Sequence, residues 1–434
     1  MSSLFPFVLL PRLVGAALLV FSFGMPASAQ TTTPDEVSAA RGPDSQPPAS
    51  PAPSLSGGAA WTFMQDGVIF ATYNRQGGVR GSSDFGSQNW WMGMGYRPIG
   101  RAALTLTGMV SLEPATTDPR GYAEIFQVGE TYENVPLVDY QHPHDFLMQL
   151  SAVVRVPLNR EIALRFVFAP VGEAGIGPPA FMHRRSAAEN PIAPLSHHTF
   201  DSSHVTMGVI GLGFDAGPVS VDGAVFHGRE PDEQRWDLMD PGPLDSWSTR
   251  IRFRPTREWD VQASYGFLKQ PEILEEQDVH RSSVSISYTH EGRGDNYTAL
   301  TFAAGRNRRA YSESEALLGE ITHRVGRTSL FGRYEGVEVE TEHLAFPGFI
   351  HRPHPGELID PLHAVTVGGA FDITKVKGWE LAVGGDVVLY KVPLRLQETH
   401  GEQPVSFHIF GRLRVPKSPM GRMWNMMMAD GMRH

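Results

Sequence analysis

Residues 259–268 read WDVQASYGFL, and residues 281–289 read RSSVSISYT. In both stretches apolar and polar side chains alternate, and a period of two is typical of a β-strand whose two faces meet different surroundings. The same alternation recurs in about sixteen segments of roughly ten residues each within 61–415, and that strand length is enough to cross a membrane. The sequence therefore predicts an all-β chain.

The connections between these segments alternate in length. The short ones are 98–101, 157–161, 215–218, 254–258, 291–296, 325–328 and 374–378, and the long ones are 114–143, 170–203, 228–244, 270–278, 341–361 and 391–404. A transmembrane barrel produces this asymmetry because its periplasmic turns are tight and its external loops are long. We therefore predict an antiparallel transmembrane β-barrel of about sixteen strands, wide enough for an aqueous channel.

The chain divides into four predicted regions. Residues 1–29 have the features of a signal peptide, with Arg12, an apolar core at 13–25 and a small-residue cleavage site at Ala27-Ser28-Ala29. Residues 30–59 are rich in Pro, Ser and Ala and are predicted to be a disordered lead-in. The transmembrane barrel takes up 60–416, and a Met-rich periplasmic tail takes up 417–434.

This architecture resembles that of the porin-like bacterial outer-membrane barrels. The resemblance extends over nearly the whole chain after the signal peptide, and it rests on architecture and not on a shared motif. It implies a location in the outer membrane, contact with outer-membrane lipid, passage of small solutes or ions, and assembly as a homotrimer. One departure is that such barrels commonly end on a strand with a terminal aromatic, whereas this chain continues beyond Val415.

Charge is distributed by side. The formal net charge is −10, and acids such as Glu124, Glu130 and Asp139 gather in the predicted external loops. An acidic mouth concentrates cations; the alternative is that these acids only keep the loops soluble. The residues predicted to line the pore are Arg155, Arg250, Arg252, Arg254, Asp260, Glu320, Arg333, His408, Arg412 and Arg414. The arginines either attract anions or pair with lumen carboxylates such as Asp372 and Asp386, so the sequence leaves selectivity open.

Histidine is the most informative residue type for function. The chain has 17, and most lie at predicted external strand ends or in long loops, as in QHPHD (141–145) and SHHTFDSSH (196–204). Neutral imidazole beside carboxylate suits Zn²⁺, Cu²⁺ or Ni²⁺. The metal ligands predicted for the mouth are His142, His144, Asp145, His197, His198, Asp201, His204 and His227.

Two other interpretations of these residues stay open. In the first, the histidines and acids cross-link neighbouring loops through hydrogen bonds and make the mouth rigid. In the second, the hydroxyl, imidazole and carboxylate groups belong to a hydrolase at the barrel rim. That enzyme would use Asp145, Asp201, His198 or His204, with Ser196 as a nearby hydroxyl.

The tail holds six methionines between 420 and 432. Thioethers favour Cu(I) or Ag(I) over hard cations, and the chain has no cysteine to offer a thiolate instead. The predicted soft-metal ligands are Met423, Met426, Met428 and His434. Because Met is also a flexible apolar filler, the alternatives are a plug against the lumen and a contact with a periplasmic partner.

Together these features predict an outer-membrane channel for small solutes or ions, with a cation bias and a copper-like site at the mouth. The alternatives are the rim hydrolase and a filled structural or adhesion barrel. The prediction requires no cofactor, and a copper or zinc ion is the ligand that the residues suit. The sequence has no basic patch interleaved with aromatic residues, so no nucleic-acid partner is expected.

Overall fold

The computed structural model describes residues 60–430, apart from 239, 241, 274–275, 348–353 and 420. The predicted signal peptide and lead-in lie outside the described residues. The strands are β1 Thr62–Arg75, β2 Ser83–Gly86, β3 Asn89–Ile99, β4 Ala102–Val110, β5 Tyr122–Tyr132, β6 Val135–Gln141, β7 Leu147–Pro157, β8 Ile162–Gly172, β9 Thr206–Ala216, β10 Val219–His227, β11 Ser246–Phe253, β12 Trp259–Leu268, β13 Val279–Glu291, β14 Tyr297–Arg308, β15 Glu313–Val325, β16 Thr328–Glu340, β17 Ile359–Val376, β18 Trp379–Lys391 and β19 Val405–Arg414.

The main sheet is closed and antiparallel. It contains 17 strands, of which the short β2 only extends the edge of β1, so 16 strands form the wall. Each wall strand pairs with its neighbours along the chain, and β1 closes the barrel by pairing with both β19 and β3. The remaining strands, β5 and β6, form a separate hairpin. The predicted all-β barrel of sixteen strands is confirmed.

The turns also follow the prediction. Tight connections join β3 to β4, β7 to β8, β9 to β10, β11 to β12, β13 to β14, β15 to β16 and β17 to β18. The opposite end of the barrel carries the long loops, with one exception: β14 and β15 are joined there by only residues 309–312. The residues predicted to bind a metal at the mouth therefore lie at the end of the barrel that carries the long loops.

In the described residues, helical structure is limited to single turns in the loops. These turns are Glu113–Thr116, Phe181–His183, Arg185–Ala187, His197–Phe200, Ser202–His204, Thr341–Ala345, Leu394–Leu396, Gln397–His400 and Met428–Asp430. Across the described residues, no helix is both long enough and apolar enough to span a membrane.

The wall is apolar outside and polar inside. Along β14, Thr301 is buried while the next residue, Phe302, is half exposed, and Val367 of β17 is 64% exposed. A surface of this kind is stable only against lipid, and the polar backbone of the strands is satisfied because the barrel has no open edge. Trp259 and Trp379 lie partly exposed at the turn end, where an aromatic belt meets the membrane interface. Trp90 and Tyr390, by contrast, are buried on the lumen side (7% exposed each).

The lumen is filled. The loop of residues 173–205, which we call the inserted loop, is buried along most of its length, including Glu189, Ser196 and Phe200. The β5–β6 hairpin contacts the barrel wall at the mouth: Asn74 donates a hydrogen bond to the carbonyl of Ala123 at 2.6 Å. Both long loops therefore fold inward, and the buried inserted loop leaves no wide water-filled pore beside it.

Ion pairs hold the inserted loop to the wall. Arg184 of the loop donates to both carboxylate oxygens of Glu320 on β15, at 2.8 and 3.1 Å. Glu189 pairs with Arg412 and with Arg414 on β19. Three side chains from the wall and two from the loop thus form ion pairs where water is excluded, and charge-assisted bonds of this kind are the strong ones.

The described part of the tail also enters the lumen, at the turn end. Arg422 bonds to Asp66 of β1 at 2.8 Å and to Glu380 of β18 at 2.7 Å. Asp430 accepts two hydrogen bonds from Arg252 of β11, each 2.7 Å long. Of the alternatives for the tail, the plug is the one that these contacts match.

The residues predicted to line a pore lie on the lumen face, but most are buried in ion pairs. Arg250 bonds to Glu173 at 2.7 Å, Arg412 bonds to Asp372 at 2.6 Å, and Arg252 pairs with Asp260. The others are Arg333 with Glu320, His408 with Asp386, Arg155 with Asp215, Arg254 with Asp430, and Arg414 with Glu189. Pairing with lumen carboxylates is therefore the better interpretation of the arginines, and lining of a conducting pore stays a prediction.

The acidic mouth needs a correction. Glu124 and Asp139 are buried, and the Glu130 side chain is only 7% exposed. The hairpin that carries them folds into the mouth, where Arg235 pairs with Glu130 and Arg80 with Asp139 at 2.8 Å. Glu130 and Asp139 therefore stabilise the loops, and none of the three acids forms an exposed anionic surface.

We predict that Glu189→Ala releases the inserted loop while the barrel wall persists. The substitution removes a carboxylate shared by two buried arginines, and breaking a buried ion pair costs about 3–5 kcal/mol. The expected result is faster proteolysis within 173–205 and a rise in single-channel conductance, with the heat-modifiable barrel band unchanged. Glu258→Ala is the control, because its exposed pair with His290 contributes only about 0–1 kcal/mol. Equal behaviour of the two variants would contradict the assignment of the plug.

Candidate functional site

Two histidine-rich stretches meet inside the mouth. The QHPHD stretch connects β6 to β7, and the HHTFDSSH stretch ends the inserted loop just before β9. Five imidazoles from the two stretches form a closed ring, which we call the histidine ring. Its consecutive centroid distances are 6.5 Å for His142–His144, 5.3 Å for His144–His204, 5.2 Å for His204–His197, 5.4 Å for His197–His198 and 6.2 Å for His198–His142.

Local structure places these side chains. The single helical turn His197–Phe200 carries His197 and His198, and the next turn, Ser202–His204, carries His204. Phe200 is fully buried and its ring lies against Gly305 of β14, where a β-carbon would come within 2.7 Å of the ring. Phe200 therefore anchors the turn to the wall. Gly129 of β5 leaves room for His198 in the same way, since a β-carbon there would lie 2.5 Å from the imidazole.

Three of the imidazoles are held through Nδ1. His144 Nδ1 lies 3.0 Å from the Glu113 carboxylate, His197 Nδ1 lies 2.7 Å from the Asp201 carboxylate, and His204 Nδ1 lies 2.7 Å from the Asp201 carbonyl. Ionised carboxylates and carbonyls only accept hydrogen bonds, so Nδ1 carries the proton in each case. Each Nε2 is then left with a free lone pair, which is the arrangement found in metal-binding histidines.

The other two imidazoles differ from these three. His142 is bonded at both nitrogens, to the Pro143 carbonyl at 3.1 Å and to the Glu130 carboxylate at 2.8 Å. The Nδ1 atom of His198 and the Nε2 atom of His204 are both buried and have no hydrogen-bond partner among the described residues. The ring therefore offers His144, His197, His198 and His204 as donors, while His142 serves better to hold Glu130.

Burial keeps most of these rings neutral. Desolvation lowers the pKa of His198 and of His204 well below the ordinary value, and neighbouring imidazoles add to the effect. Desolvation also acts on His144, but the Glu113 carboxylate outweighs it and raises the pKa of His144. Asp201 stays ionised, because Arg184 and His197 more than offset its burial and lower its pKa. Neutral imidazole beside ionised carboxylate is the state in which metal ligands act.

The spacing suits one ion, although the nitrogens have not converged on a point. With metal–nitrogen bonds of about 2.1 Å, the centroids of imidazoles around a tetrahedral ion lie about 5 Å apart. Three consecutive separations of the ring are 5.2–5.4 Å. In the described part of the chain, the one group with three ligand atoms already within 4.8 Å is Asp232, Asp237 and Asp240, in an external loop. The imidazole nitrogens of the histidine ring are not within this distance of one another, so its side chains must move to close on an ion.

Several predicted ligands lie outside the ring. Asp145 is bonded to Arg235 at 3.1 Å, and His227 Nδ1 lies 3.0 Å from the Pro243 carbonyl. Met428 packs near β9 and β10, with its sulfur 3.3 Å from the amide nitrogen of Glu173. Met423 and Met426 pack on the β1–β3 side of the lumen, and His434 lies outside the described residues. The sequence did not reveal Glu113 or Arg184, because each is distant along the chain from the histidines that it positions.

The hydroxyls of the predicted hydrolase are engaged elsewhere. Ser196 Oγ donates to Glu335 at 2.8 Å, and Ser202 Oγ accepts from Arg281 at 2.8 Å. A nucleophile needs a hydrogen bond to its base, and within 196–204 these two hydroxyls bond to other groups. The geometry therefore does not favour Ser196 or Ser202 as a nucleophile, and a rim hydrolase that uses Asp and His groups stays a prediction.

A large cavity lies at the other end of the barrel. Its volume is about 620 Å³, and its lining includes Arg254, Glu258, Asp295, Met64 and Met426. These residues belong to the tight turns, the adjoining strand ends and the tail. The histidine ring and this cavity therefore occupy opposite ends of the lumen, with the inserted loop between them.

No protein-family model and no curated protein matches the chain. Among solved structures, OprB of Pseudomonas putida aligns with 82% of this chain and 93% of its own length, at 10% identity and a TM-score of 0.50. An anion-selective porin from Comamonas acidovorans aligns with 82% of this chain and 100% of its own length, at 10% identity and a TM-score of 0.48. The chain thus has the fold of the porin-like barrels, and its apolar outer face places it in the bacterial outer membrane.

We predict that Gly129→Ala displaces His198. The added methyl group would collide with the imidazole, and the backbone at Gly129 has a φ of +138°, which strains any residue with a β-carbon. The expected result is a change in the His198 imidazole signals in nitrogen-resolved NMR and a loss of about 1–3 kcal/mol, as for overpacking. Gly294→Ala is the control, since its φ is also positive but its β-carbon meets open space. Unchanged His198 signals would contradict the packing of the ring.

Proposed function

We propose that this protein is an outer-membrane channel whose closed lumen binds a divalent transition-metal ion, with Cu²⁺ or Zn²⁺ as the best candidates, in the histidine ring. Ions pass when the inserted loop moves. The observation that carries the proposal is the closed ring of five imidazoles, in which His144, His197 and His204 are each bonded to an acceptor at Nδ1, so that Nε2 is left as the ligand atom.

The chemistry of the donors supports an ion of this class. Imidazole nitrogen suits Cu, Zn and Ni, and Cu²⁺ binds most tightly in the general affinity order of divalent ions. A set of four imidazole ligands fits an ion of tetrahedral or tetragonal geometry. Hard cations such as Mg²⁺ prefer oxygen ligands and are not favoured by this ring.

The charges around the ring support a cation. Glu113, Glu130 and Asp201 each bond to a histidine of the ring. A bound dication would strengthen these hydrogen bonds, because it polarises the imidazole N–H groups that the acceptors hold. Two of the arginines nearby are already paired with carboxylates: Arg184 with Asp201 and Glu320, and Arg235 with Glu130 and Asp145.

The channel part of the proposal rests on the barrel and on the kind of contact that fills it. A fold by itself does not decide function. Here the plug is held to the wall partly by ion pairs and hydrogen bonds, among them Arg184–Glu320 and Ser186 Oγ–Thr301 Oγ1 at 2.8 Å. Such groups can be hydrated when the loop moves, whereas an apolar core could not. A cation bias follows from the ligand set of the ring.

Three other predictions from the sequence concern a filled barrel, a homotrimer and a periplasmic partner for the tail. A filled structural or adhesion barrel differs from the channel in having a plug that never moves. The homotrimer and a periplasmic partner for the tail stay predictions. The experiments below separate a metal-binding barrel from a barrel that is only filled.

We predict that the refolded full-length chain binds one Co²⁺, a spectroscopic substitute for Zn²⁺, in the lumen. His204→Ala should abolish the absorption bands of imidazole-bound Co²⁺. Glu113→Gln should weaken binding about 10–100-fold, the usual effect of losing the group that orients a ligand. His290→Ala, near the exposed periplasmic end of β13, should leave binding unchanged. No Co²⁺ bands in the wild type, or bands that survive His204→Ala, would contradict the proposal.

We also predict that the metal locks the plug. The inserted loop supplies His197, His198 and His204, so an ion that binds only the closed ring stabilises the closed loop. Zn²⁺ at 100 times its dissociation constant should contribute about 2.7 kcal/mol. In Glu189→Ala it should therefore restore protease resistance within 173–205 and suppress conductance. Metal-independent conductance of this variant would contradict the coupling of ring and plug.

A further inference from the structure

Part of the lumen wall is lined by methionine. The side chains belong to the inward faces of β1, β3, β4, β7 and β9, to the inserted loop and to the tail, and they pack into one cluster with Trp90. The methionines of this cluster are Met64, Met92, Met94, Met109, Met148, Met182, Met207, Met423 and Met426. We call these nine residues the methionine patch; they are nine of the 16 methionines in the chain.

Packing alone does not explain this composition. A second buried cluster of similar size, around Phe126 and Phe200, is built from Leu, Ile, Val and Ala and contains no methionine in the described residues. The methionine patch shows the reverse: its buried members include no leucine or isoleucine within the described chain. Leu and Ile have better defined rotamers and are the ordinary choice for a rigid core. Thioether sulfur is therefore what distinguishes this patch.

The patch is continuous across the wall. Met64 of β1 pairs with Met94 of β3, and Met92 of β3 pairs with Met109 of β4. Met148 reaches the same face because a β-bulge in β7 inserts one extra residue opposite β4. The sulfurs thus come from neighbouring strands that are rigidly bonded to one another, and the tail adds Met423 from the lumen side.

The patch has a nitrogen donor at its border. His183 follows Met182 in the inserted loop, and its ring lies 4.8 Å from Trp90. Its Nδ1 is buried and has no hydrogen-bond partner in the described residues. Burial lowers the pKa of His183 to about 4, so the ring is neutral at physiological pH. An unpaired buried nitrogen is costly, and it points to a group that it binds.

We infer that the methionine patch is a site for a soft monovalent cation, Cu(I) or Ag(I). The thioethers of Met92, Met109 and Met148 supply the sulfur ligands, and His183 supplies a nitrogen. Soft thioether ligands select such ions over Zn²⁺ and over hard cations. The site goes beyond the divalent-ion function proposed above, because it differs from the histidine ring in its residues and in its ligand type.

The location of the patch suits transfer along the lumen. On one side, Trp90, Met182 and His144 of the histidine ring line the same small cavity. On the other side, Met64 and Met426 belong to the lining of the 620 Å³ cavity at the periplasmic end. The patch therefore joins the two ends of the lumen past the inserted loop, and the tail residue Met426 stands where an ion would leave.

The test uses Ag⁺, which binds as Cu(I) does and has no redox chemistry under these conditions. The refolded full-length chain is titrated with Ag⁺ by calorimetry, and the ligand atoms are counted by X-ray absorption. We expect a shell dominated by sulfur. The triple variant Met92→Leu/Met109→Leu/Met148→Leu should lose the high-affinity site, because Leu conserves volume and removes only the sulfur. Met428→Leu, outside the patch, should retain it.

Two outcomes would overturn the inference: an Ag⁺ shell of nitrogen and oxygen alone, or unchanged affinity in the triple variant. The sulfur count in the wild type decides the matter even if that variant fails to fold. His204→Ala should abolish Co²⁺ binding and leave Ag⁺ binding intact. If the wild-type chain binds Ag⁺ but not Co²⁺, the histidine ring is the site that is wrong, and if it binds Co²⁺ but not Ag⁺, the methionine patch is wrong.

Discussion

Arg184 links the barrel wall, the inserted loop and the histidine ring. Its guanidinium holds Glu320 of β15 through two hydrogen bonds and Asp201 through a third of 2.6 Å. Asp201 in turn fixes the proton positions of His197 and His204. Because all these groups are buried, loss of one partner leaves an uncompensated charge. The position of the inserted loop and the orientation of the imidazoles in the histidine ring therefore depend on the same buried hydrogen bonds.

The membrane explains why the lumen carries this chemistry. The outer face of the wall must be apolar where it meets lipid, so the polar and charged side chains of the strands are directed mainly inward. Charges gathered there require partners or water. The inserted loop and the tail supply the partners, with Glu189 for the arginines of β19 and Asp430 for Arg252. The lumen left between them has a nitrogen-rich end and a sulfur-rich wall.

Periodicity predicted the fold because a barrel repeats one physical rule along the whole chain. It failed where the rule is broken locally. The bulge in β7 turns Met148 from the lipid face to the lumen, and the inward methionines of β1 and β3 look in sequence like lipid-facing residues. The histidines of the ring were predicted from residue type and loop position. Glu113 and Arg184 could not be predicted, because loop folding alone brings them to the ring.

The account is tested most directly by anomalous diffraction from crystals of the full-length chain loaded with Co²⁺. The expected result is one peak in the lumen, about 2.1 Å from the Nε2 atoms of His144, His197 and His204, with Asp201 still bonded to Arg184. An empty lumen, with Co²⁺ bound only at exposed carboxylates such as those of Asp232 and Asp237, would contradict the central claim.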